Sequence, residues 1–211
     1  MMEKLIEKLN ERFGKENTKI LIHQGLEDDS PYKFIQIDVQ KRSPIKILMT
    51  CGLSDYKMPV PEKFMGKEFN EIFFCLPSYW DLDDTSNPNF NWVFDVLIRL
   101  QKHVTEKETW FGVGHTIPFS NPLQRISETM KQSYFFFNEP VFLREELRAI
   151  ELEDKTIHFL AIIPIFEDEF DYKLGKGTYK FQKKLNQLNV TELLDDYRFT
   201  VLKSKWRLFR K

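Results

Sequence analysis

The sequence predicts an α+β fold, in which a mixed or mostly antiparallel β-sheet packs with helices as a single-domain sandwich. Two short apolar segments of strand type, residues 32–39 and 45–49, flank the turn Ser43-Pro44, which is typical of an antiparallel hairpin. Helical patterns occur at the start, in the middle and near the end of the chain rather than after every strand, and this order disfavours a doubly wound parallel sheet. With 211 residues, 42% of them hydrophobic, the chain has the size of one domain and enough apolar surface for a sizeable core.

The first elements are a helix and a strand. Apolar side chains at helical spacing predict an amphipathic helix over residues 2–13, which ends before Gly14. Residues 18–23 fit either a strand or a turn, and the polar residues 26–31 fit a turn. Residues 32–39 alternate between apolar and polar side chains, which predicts a half-buried antiparallel strand.

The middle of the chain predicts two buried strands and a long helix. Residues 45–49 form the returning strand of the hairpin, and residues 71–76 form another strand that ends at Pro77. Residues 92–104 carry apolar side chains at i, i+3 and i+4 spacing, which predicts a helix for which Asn91 is a candidate cap.

The next part of the chain predicts further strands. Residues 109–113 and 134–137 are short strand-like segments, and residues 141–143 are a third apolar run. The long apolar run 157–165 predicts a central strand that leaves the sheet near Pro164, because proline cannot donate a ladder hydrogen bond.

Two helices are predicted near the C-terminus. Residues 178–188 have helical spacing with Phe181, Leu185 and Leu188 facing inward, and a short helix begins at Thr191.

The last residues, 201–211, form a basic tail with interleaved aromatic side chains and no acidic residue. A contact with nucleic acid or an anionic membrane and a final segment docked on the core both fit this composition. The near-neutral charge of the rest of the chain favours docking.

The overall composition excludes several classes of protein. The net charge of −1 argues against a whole-molecule electrostatic binder of nucleic acid. No apolar run is long enough for a membrane span, and the amphipathic N-terminus is not of signal-peptide type. Cys51 and Cys75 lie in or beside apolar runs, so two buried thiols in a reducing compartment are expected, without a metal or cofactor. Together these features predict a cytoplasmic protein.

The loop 50–61 is the first candidate site, because a buried strand delivers it to the surface. In one interpretation Gly52 turns the chain and presents Ser54 and Asp55 to a partner. In the other, the loop is a structural turn whose Ser and Asp side chains satisfy its own amides.

Two acidic segments with aromatic neighbours are the second candidate. Residues 81–84 follow Tyr79 and Trp80, and residues 167–171 contain Phe170 and lie between Phe166 and Tyr172. An acidic face can steer a basic partner and aromatic side chains can anchor it, whereas a solvated loop face and core aromatics are the plainer interpretation. The residues predicted to bind a protein partner are Ser54, Asp55, Tyr79, Trp80, Asp81, His115, Glu167, Glu169 and Asp171.

His115 supports an alternative prediction, a small hydrolase or ligand-binding enzyme. A histidine between Gly114 and Thr116 can act as a general base if Ser54 or Cys51 lies within hydrogen-bond reach. Most such histidines are structural, and one histidine with scattered acids is a poor metal site.

Short motifs in a fixed order make the chain resemble the suppressor of fused domain family. The resemblance covers about residues 30–200, with Leu53 in place of the commoner Met. The motifs are Thr50-Cys51-Gly52-Leu53-Ser54, Met58-Pro59, Glu71-Ile72-Phe73-Phe74-Cys75-Leu76-Pro77, Trp80, Gly114-His115-Thr116-Ile117, Ile163-Pro164-Ile165, Glu169, Tyr172 and Asp196-Tyr197-Arg198.

The resemblance implies a division into residues 1–29 as helix and lead-in, 30–200 as the domain, and 201–211 as the docked tail. The long second domain of the animal relatives is lacking, which puts their way of clamping a transcription-factor peptide in doubt. Bacterial single-domain members look like immunity proteins, which implies a non-enzymatic protein that binds and neutralises a toxin domain. A housekeeping scaffold without a toxin is a third interpretation.

Overall fold

The computed structural model describes residues 2–25, 31–84 and 87–202, so most of the predicted turn at 26–31 and the tail from residue 203 onward lie outside the described residues. Within them the helices are α1 (Met2–Phe13), α2 (Pro88–Glu106), α3 (Glu167–Lys176) and α4 (Thr178–Gln187). The strands are β1 (Thr18–His23), β2 (Tyr32–Val39), β3 (Ile45–Thr50), β4 (Phe69–Pro77), β5 (Thr116–Pro118), β6 (Tyr134–Asn138), β7 (Ile150–Glu151) and β8 (Thr156–Ile165).

The described strands form one mixed sheet in the order β1-β2-β3-β4-β8-β6-β5, and β7 pairs with the start of β8. Neighbouring strands are antiparallel except β4 and β8, which run parallel. The α+β prediction, with a mostly antiparallel sheet packed against helices, is therefore confirmed.

Both faces of the sheet are buried. Helix α2 packs on the face that carries Phe34 and Phe74. Helix α1 covers Ile35 and Phe73 on the opposite face, where α4 extends the same layer. Strand β2 is therefore buried on both faces, whereas a half-buried strand is predicted. Even the polar side chain of Gln36 lies beneath α2 rather than in water.

Strand β8 continues through Pro164, although a departure from the sheet is predicted there. The ladder between β8 and β4 stops at Ala161, whereas the pairing with β6 continues to Ile165. Pro164 thus occurs where β4 has already separated, so its missing N–H leaves no ladder bond unmade. At the proline β8 no longer pairs with β4 but still pairs with β6.

Three predicted elements do not form, and tertiary contacts explain each case. Residues 109–113 are a loop fixed by the stack of Phe111 on Phe137, whose ring centroids are 4.4 Å apart. Residues 141–143 donate their backbone N–H groups to the carboxylate of Glu192 instead of to a strand. The segment after residue 191 runs beside β4 rather than forming a helix, and Leu194 N–H bonds to the carbonyl of Cys75 at 2.8 Å.

The helix ends also differ in detail from the prediction. Leu188 lies just beyond α4 and is exposed, whereas Phe181 and Leu185 face the core as predicted. At the start of α2, the capping residue is Asn87 rather than Asn91, and its side chain accepts a hydrogen bond from the N–H of Asn89 at 3.0 Å.

The capping difference predicts a measurable effect. We expect Asn87→Ala to lower the free energy of unfolding by about 1 kcal/mol, because the first turn of α2 loses its side-chain acceptor. Asn91→Ala is the matched control and should change stability less, because its side-chain oxygen accepts no hydrogen bond among the described residues. Urea denaturation of both variants checks this, and an equal loss in both would contradict the assignment of the cap.

Candidate functional site

The parallel pairing of β4 and β8 brings the two acidic segments to the same edge of the sheet. Parallel strands end at one edge, so the loop after Pro77 and the start of α3 at Glu167 both leave the sheet there. These segments are far apart in the sequence, and their meeting is a consequence of topology.

A third segment, residues 195–199, completes this edge. It follows the short parallel bridge between Leu193 and Cys75, which lies where β4 has separated from β8. Its residues Tyr197 and Phe199 are 75% and 66% exposed. Sequence analysis missed these two residues as interface candidates, although this segment has the same mixture of acidic and aromatic residues as the other two.

We call this surface the acidic edge. It contains exposed carboxylates and exposed aromatic side chains. Its members are Tyr79, Asp81, Asp83, Glu167, Asp168, Asp171, Asp195, Tyr197 and Phe199. Of the predicted site residues, Tyr79, Asp81, Glu167 and Asp171 belong to it, and such a surface attracts a positively charged partner.

Tyr79 connects two of the segments. Its hydroxyl donates a hydrogen bond of 2.6 Å to the carboxylate of Asp196, while the residue as a whole remains 55% exposed. Burial of the hydroxyl and the bond to Asp196 raise the pKa of Tyr79 well above its ordinary value. The side chain is therefore a neutral donor held in place at physiological pH, with an apolar face toward solvent.

Glu169 connects the third segment to α3. It is predicted to contact a partner, but it is buried. Arg198 donates to both of its carboxylate oxygens, at 2.7 and 2.8 Å. The backbone N–H groups of Phe166 and Val201 donate to the same carboxylate at 3.0 and 2.8 Å. Because Glu169 sits at the start of α3 and satisfies several buried donors, it anchors the acidic edge and does not face solvent.

Trp80 and Ser54 are likewise buried, contrary to their predicted role as partner contacts. Trp80 packs in the core beneath α2, and its indole N–H donates to the carbonyl of Phe90 at 3.1 Å. An aromatic ring next to an acidic loop cannot be assigned to surface or core from its neighbours alone. Ser54 donates its hydroxyl to the buried carboxylate of Glu71 at 2.7 Å.

Glu71 is the centre of the loop that follows β3. Its carboxylate accepts hydrogen bonds from the hydroxyl of Thr50, from the N–H of Gly52 at 3.1 Å and from the N–H of Ser54 at 3.0 Å, besides the Ser54 hydroxyl. Gly52 has a φ of 118°, which favours glycine. The motif residues 50–54 and Glu71 are thus one structural unit. The interpretation of this loop as a structural turn fits, but Glu71 satisfies the loop amides, and the Ser and Asp side chains do not.

Asp55 lies away from the acidic edge, because β3 runs antiparallel to β4 and ends at the opposite side of the sheet. Its carboxylate is 3.1 Å from the ammonium group of Lys155, which also donates to the carbonyl of Ser54 at 2.6 Å. Asp55 and the acidic edge therefore do not form one surface.

His115 is not joined to Ser54 or Cys51 by any described hydrogen bond. Its ring lies edge-on to Trp110, with centroids 4.3 Å apart. Burial and the charge of Lys173 lower its pKa, while burial raises the pKa of Cys51 to about 12. A thiol with that pKa is not a nucleophile at neutral pH, and the hydroxyl of Ser54 is engaged with Glu71, so the described contacts activate neither candidate nucleophile.

Among the described residues, no group of three or more His, Cys, Asp or Glu side chains is placed to hold a metal ion. Among the same residues, no helix has both the length and the apolar character needed to cross a membrane.

The chain is similar to known proteins in both sequence and fold. A family model described as Suppressor of fused protein (SUFU) matches residues 28–198. The crystal structure of the Sufu–Fu complex superposes with a TM-score of 0.68 and 15% identity, over 99% of this chain and 93% of that chain. The crystal structure of Drosophila Suppressor of Fused has a TM-score of 0.65 and 16% identity, over 97% of this chain and 51% of that chain, so this chain spans about half its length. The search of curated proteins found no match. At these identities the structural likeness shows a shared fold.

Proposed function

The chain belongs to the suppressor of fused family, and on this premise we propose that it is a non-enzymatic protein-binding domain of immunity type. In this proposal it binds a cognate toxin domain in the cytoplasm and occludes the active site of that domain. One of the structures with the same fold is a complex of Sufu with Fu, which supports a protein as the partner.

The observation that carries the proposal is the convergence of three acidic segments on one edge. Asp81, Glu167 and Asp195 come from different parts of the chain. The parallel β4–β8 pair and the bridge to Leu193 bring the three segments to the same edge of the sheet. Domains that cleave nucleic acid have basic surfaces for the phosphate backbone. A negatively charged surface steers such a domain and competes with its substrate.

The exposed aromatic side chains of the acidic edge supply the apolar part of the proposed interface. Tyr79, Tyr197 and Phe199 offer ring surface next to carboxylates, and buried aromatic anchors contribute most of the binding energy in many interfaces. The pair of Arg198 and Glu169 holds this segment in place before a partner arrives, which lowers the entropy lost on binding.

The environments of Ser54 and Cys51 support the proposal that the chain is not an enzyme. Ser54 is committed to Glu71, Cys51 remains a thiol, and the acidic edge contains no described histidine. No observation favours the hydrolase alternative, and a scaffold without a toxin is one outcome of the experiment below.

We expect removal of charge from the acidic edge to weaken partner binding. The variant combines Asp81→Asn, Glu167→Gln, Asp171→Asn and Asp195→Asn, and should associate with its partner on the order of tenfold more slowly at low salt, because steering is lost. The partner is first isolated by pull-down from the source organism and identified by mass spectrometry. Association is then measured with the purified partner at low and moderate salt.

The control variant removes four exposed carboxylates elsewhere, by substituting Gln for Glu3, Glu7, Glu62 and Glu151. Equal weakening in both variants would contradict the assignment of the interface. Toxicity of the partner expressed alone, relieved by co-expression of this chain, supports the immunity role. A partner that is harmless when expressed alone would contradict that role and favour a scaffold.

A further inference from the structure

A cleft of about 730 Å³ opens beside β8, on the side where the pairing with neighbouring strands is interrupted. Strand β6 ends at Asn138 and strand β7 begins at Ile150, and both pair with the same side of β8. Phe159 of β8 lies between the two paired stretches and lines the cleft. Residues 139–149 loop outward instead of continuing the ladder, and the space they leave is the cleft.

Hydrogen bonds at both ends of the loop 139–149 fix the walls of the cleft. The carboxylate of Glu192 accepts the N–H groups of Val141 and Phe142 at 3.0 Å and that of Leu143 at 2.8 Å. At the other end of the loop, the guanidinium of Arg12 donates to the carbonyl of Ala149 at 2.9 Å. The cleft is thus formed before any ligand binds, and its volume lies in the range of roughly 300–1,000 Å³ that is usual for small-molecule sites.

Two guanidinium groups give the cleft a positive charge that is not neutralised. Arg144 and Arg148 line it, and neither has an acidic partner in the part of the chain that the structure describes. The third cation, Lys67, is paired with Glu139 at 2.9 Å. The cleft therefore has free capacity for an anion, and guanidinium groups bind phosphate and carboxylate through paired hydrogen bonds.

Aromatic rings form another wall. Phe64 and Trp110 both line the cleft, with ring centroids 4.9 Å apart. The odd-numbered residues of β8 direct their backbone groups toward β6 and β7, as the bond from the N–H of Ser133 to the carbonyl of Ile165 shows. By the same alternation, the N–H and C=O of Phe159 point into the interruption, where no strand pairs with them.

We propose that this cleft is a small-molecule site for ligands that join a phosphate or carboxylate group to a planar ring. Arg144 and Arg148 bind the anionic group, Trp110 and Phe64 pack against the ring, and the backbone of Phe159 offers a donor and an acceptor to the ring edge. This site is separate from the acidic edge, whose charge would repel the same ligand.

Titration of the 15N-labelled chain of 211 residues with chosen probes tests the proposal. AMP is the probe with a phosphate, and indole-3-acetate is the probe with a carboxylate. We expect either probe to shift the amide resonances of Gly112 and Phe159, and the tighter of the two identifies the preferred anion. Adenosine and ribose 5-phosphate, or indole and acetate, each lack one half of the ligand and should bind at least about tenfold more weakly, because a charge-assisted hydrogen bond or the ring contact is lost.

A variant with Arg144→Gln and Arg148→Gln should lose at least about tenfold in affinity for the bound probe, whereas a control with Arg42→Gln and Arg125→Gln should keep it. All four arginines are exposed, so the substitutions leave the core intact, and the amide spectrum of each variant verifies its fold. The proposal is overturned if neither probe shifts the cleft resonances, if the half-ligands bind as well as the whole, or if the two variants bind alike.

Discussion

Replacing Glu71 by alanine is expected to lower the free energy of unfolding by about 3–5 kcal/mol. The carboxylate is fully buried and accepts hydrogen bonds from Thr50, Gly52 and Ser54. Alanine leaves these donors without an acceptor and opens a cavity between β4 and the loop after β3. The loss should appear as a lower midpoint in urea denaturation at neutral pH.

Glu62→Ala is the matched control, because this exposed glutamate lies in the same connection between β3 and β4. It should change stability by less than about 0.5 kcal/mol. If Glu71→Ala is no more destabilising than Glu62→Ala, the loop is not organised by the carboxylate.

The same residue predicts a dependence on pH. Burial raises the pKa of Glu71 above its ordinary value of 4.5, although the hydrogen bonds from Thr50, Ser54 and Gly52 oppose this. A carboxyl group with a raised pKa binds its proton more tightly in the folded state, so its contribution to stability is present at low pH and is lost as pH rises through the raised pKa. The stability of the natural protein relative to Glu71→Gln should therefore fall as pH increases from about 4.5. A difference that grows over this range would contradict the assignment.

The second large effect is expected for Arg198→Met, which should lower the free energy of unfolding by about 3–5 kcal/mol. Glu169 would remain buried with its charge uncompensated, while the carbonyl of Pro164 would lose a donor. The variant should also bind its partner more weakly, because Tyr197 and Phe199 flank Arg198 in the chain.

A double-mutant cycle with Glu169→Met separates the ion pair from the loss of packing. Removing both charges should recover part of the stability, because no unpaired buried charge remains. Lys67→Met, which breaks the exposed pair with Glu139, is the control and should lower stability by at most about 1 kcal/mol. Equal losses for Arg198→Met and Lys67→Met would show that burial of the pair is not important.

Local patterns predicted most elements of this fold. The helix over residues 2–13 and the hairpin of β2 and β3 follow from apolar periodicity over adjacent residues, and their bounds agree closely with the structure. Residues 109–113 have a strand-like pattern too, but aromatic stacking on β6 holds them as a loop. Periodicity describes which side of a segment is buried, whereas its strand partner depends on the rest of the chain.

The candidate site shows the same division. Composition identified the acidic segments at 81–84 and 167–171, and both reach the surface. It could not distinguish Glu169, which accepts hydrogen bonds from the distant residues Arg198 and Val201, from exposed Glu167 two positions earlier. Trp80 is predicted to contact a partner but lies in the core, because its indole N–H donates to a backbone acceptor there. That the segments converge depends on the parallel pairing of β4 with β8, which no local pattern contains.

This parallel pairing also determines when the acidic edge can exist during synthesis. Strand β4 must wait for residues 157–161 before its ladder with β8 can close, whereas the hairpin of β2 and β3 can form as soon as it leaves the ribosome. At typical translation rates of about 5–20 residues per second the delay is about 4–17 s, during which one side of β4 is unpaired. The acidic edge is therefore assembled late, after Arg198 has reached Glu169, and a nascent chain halted earlier has part of the sheet but no assembled acidic edge.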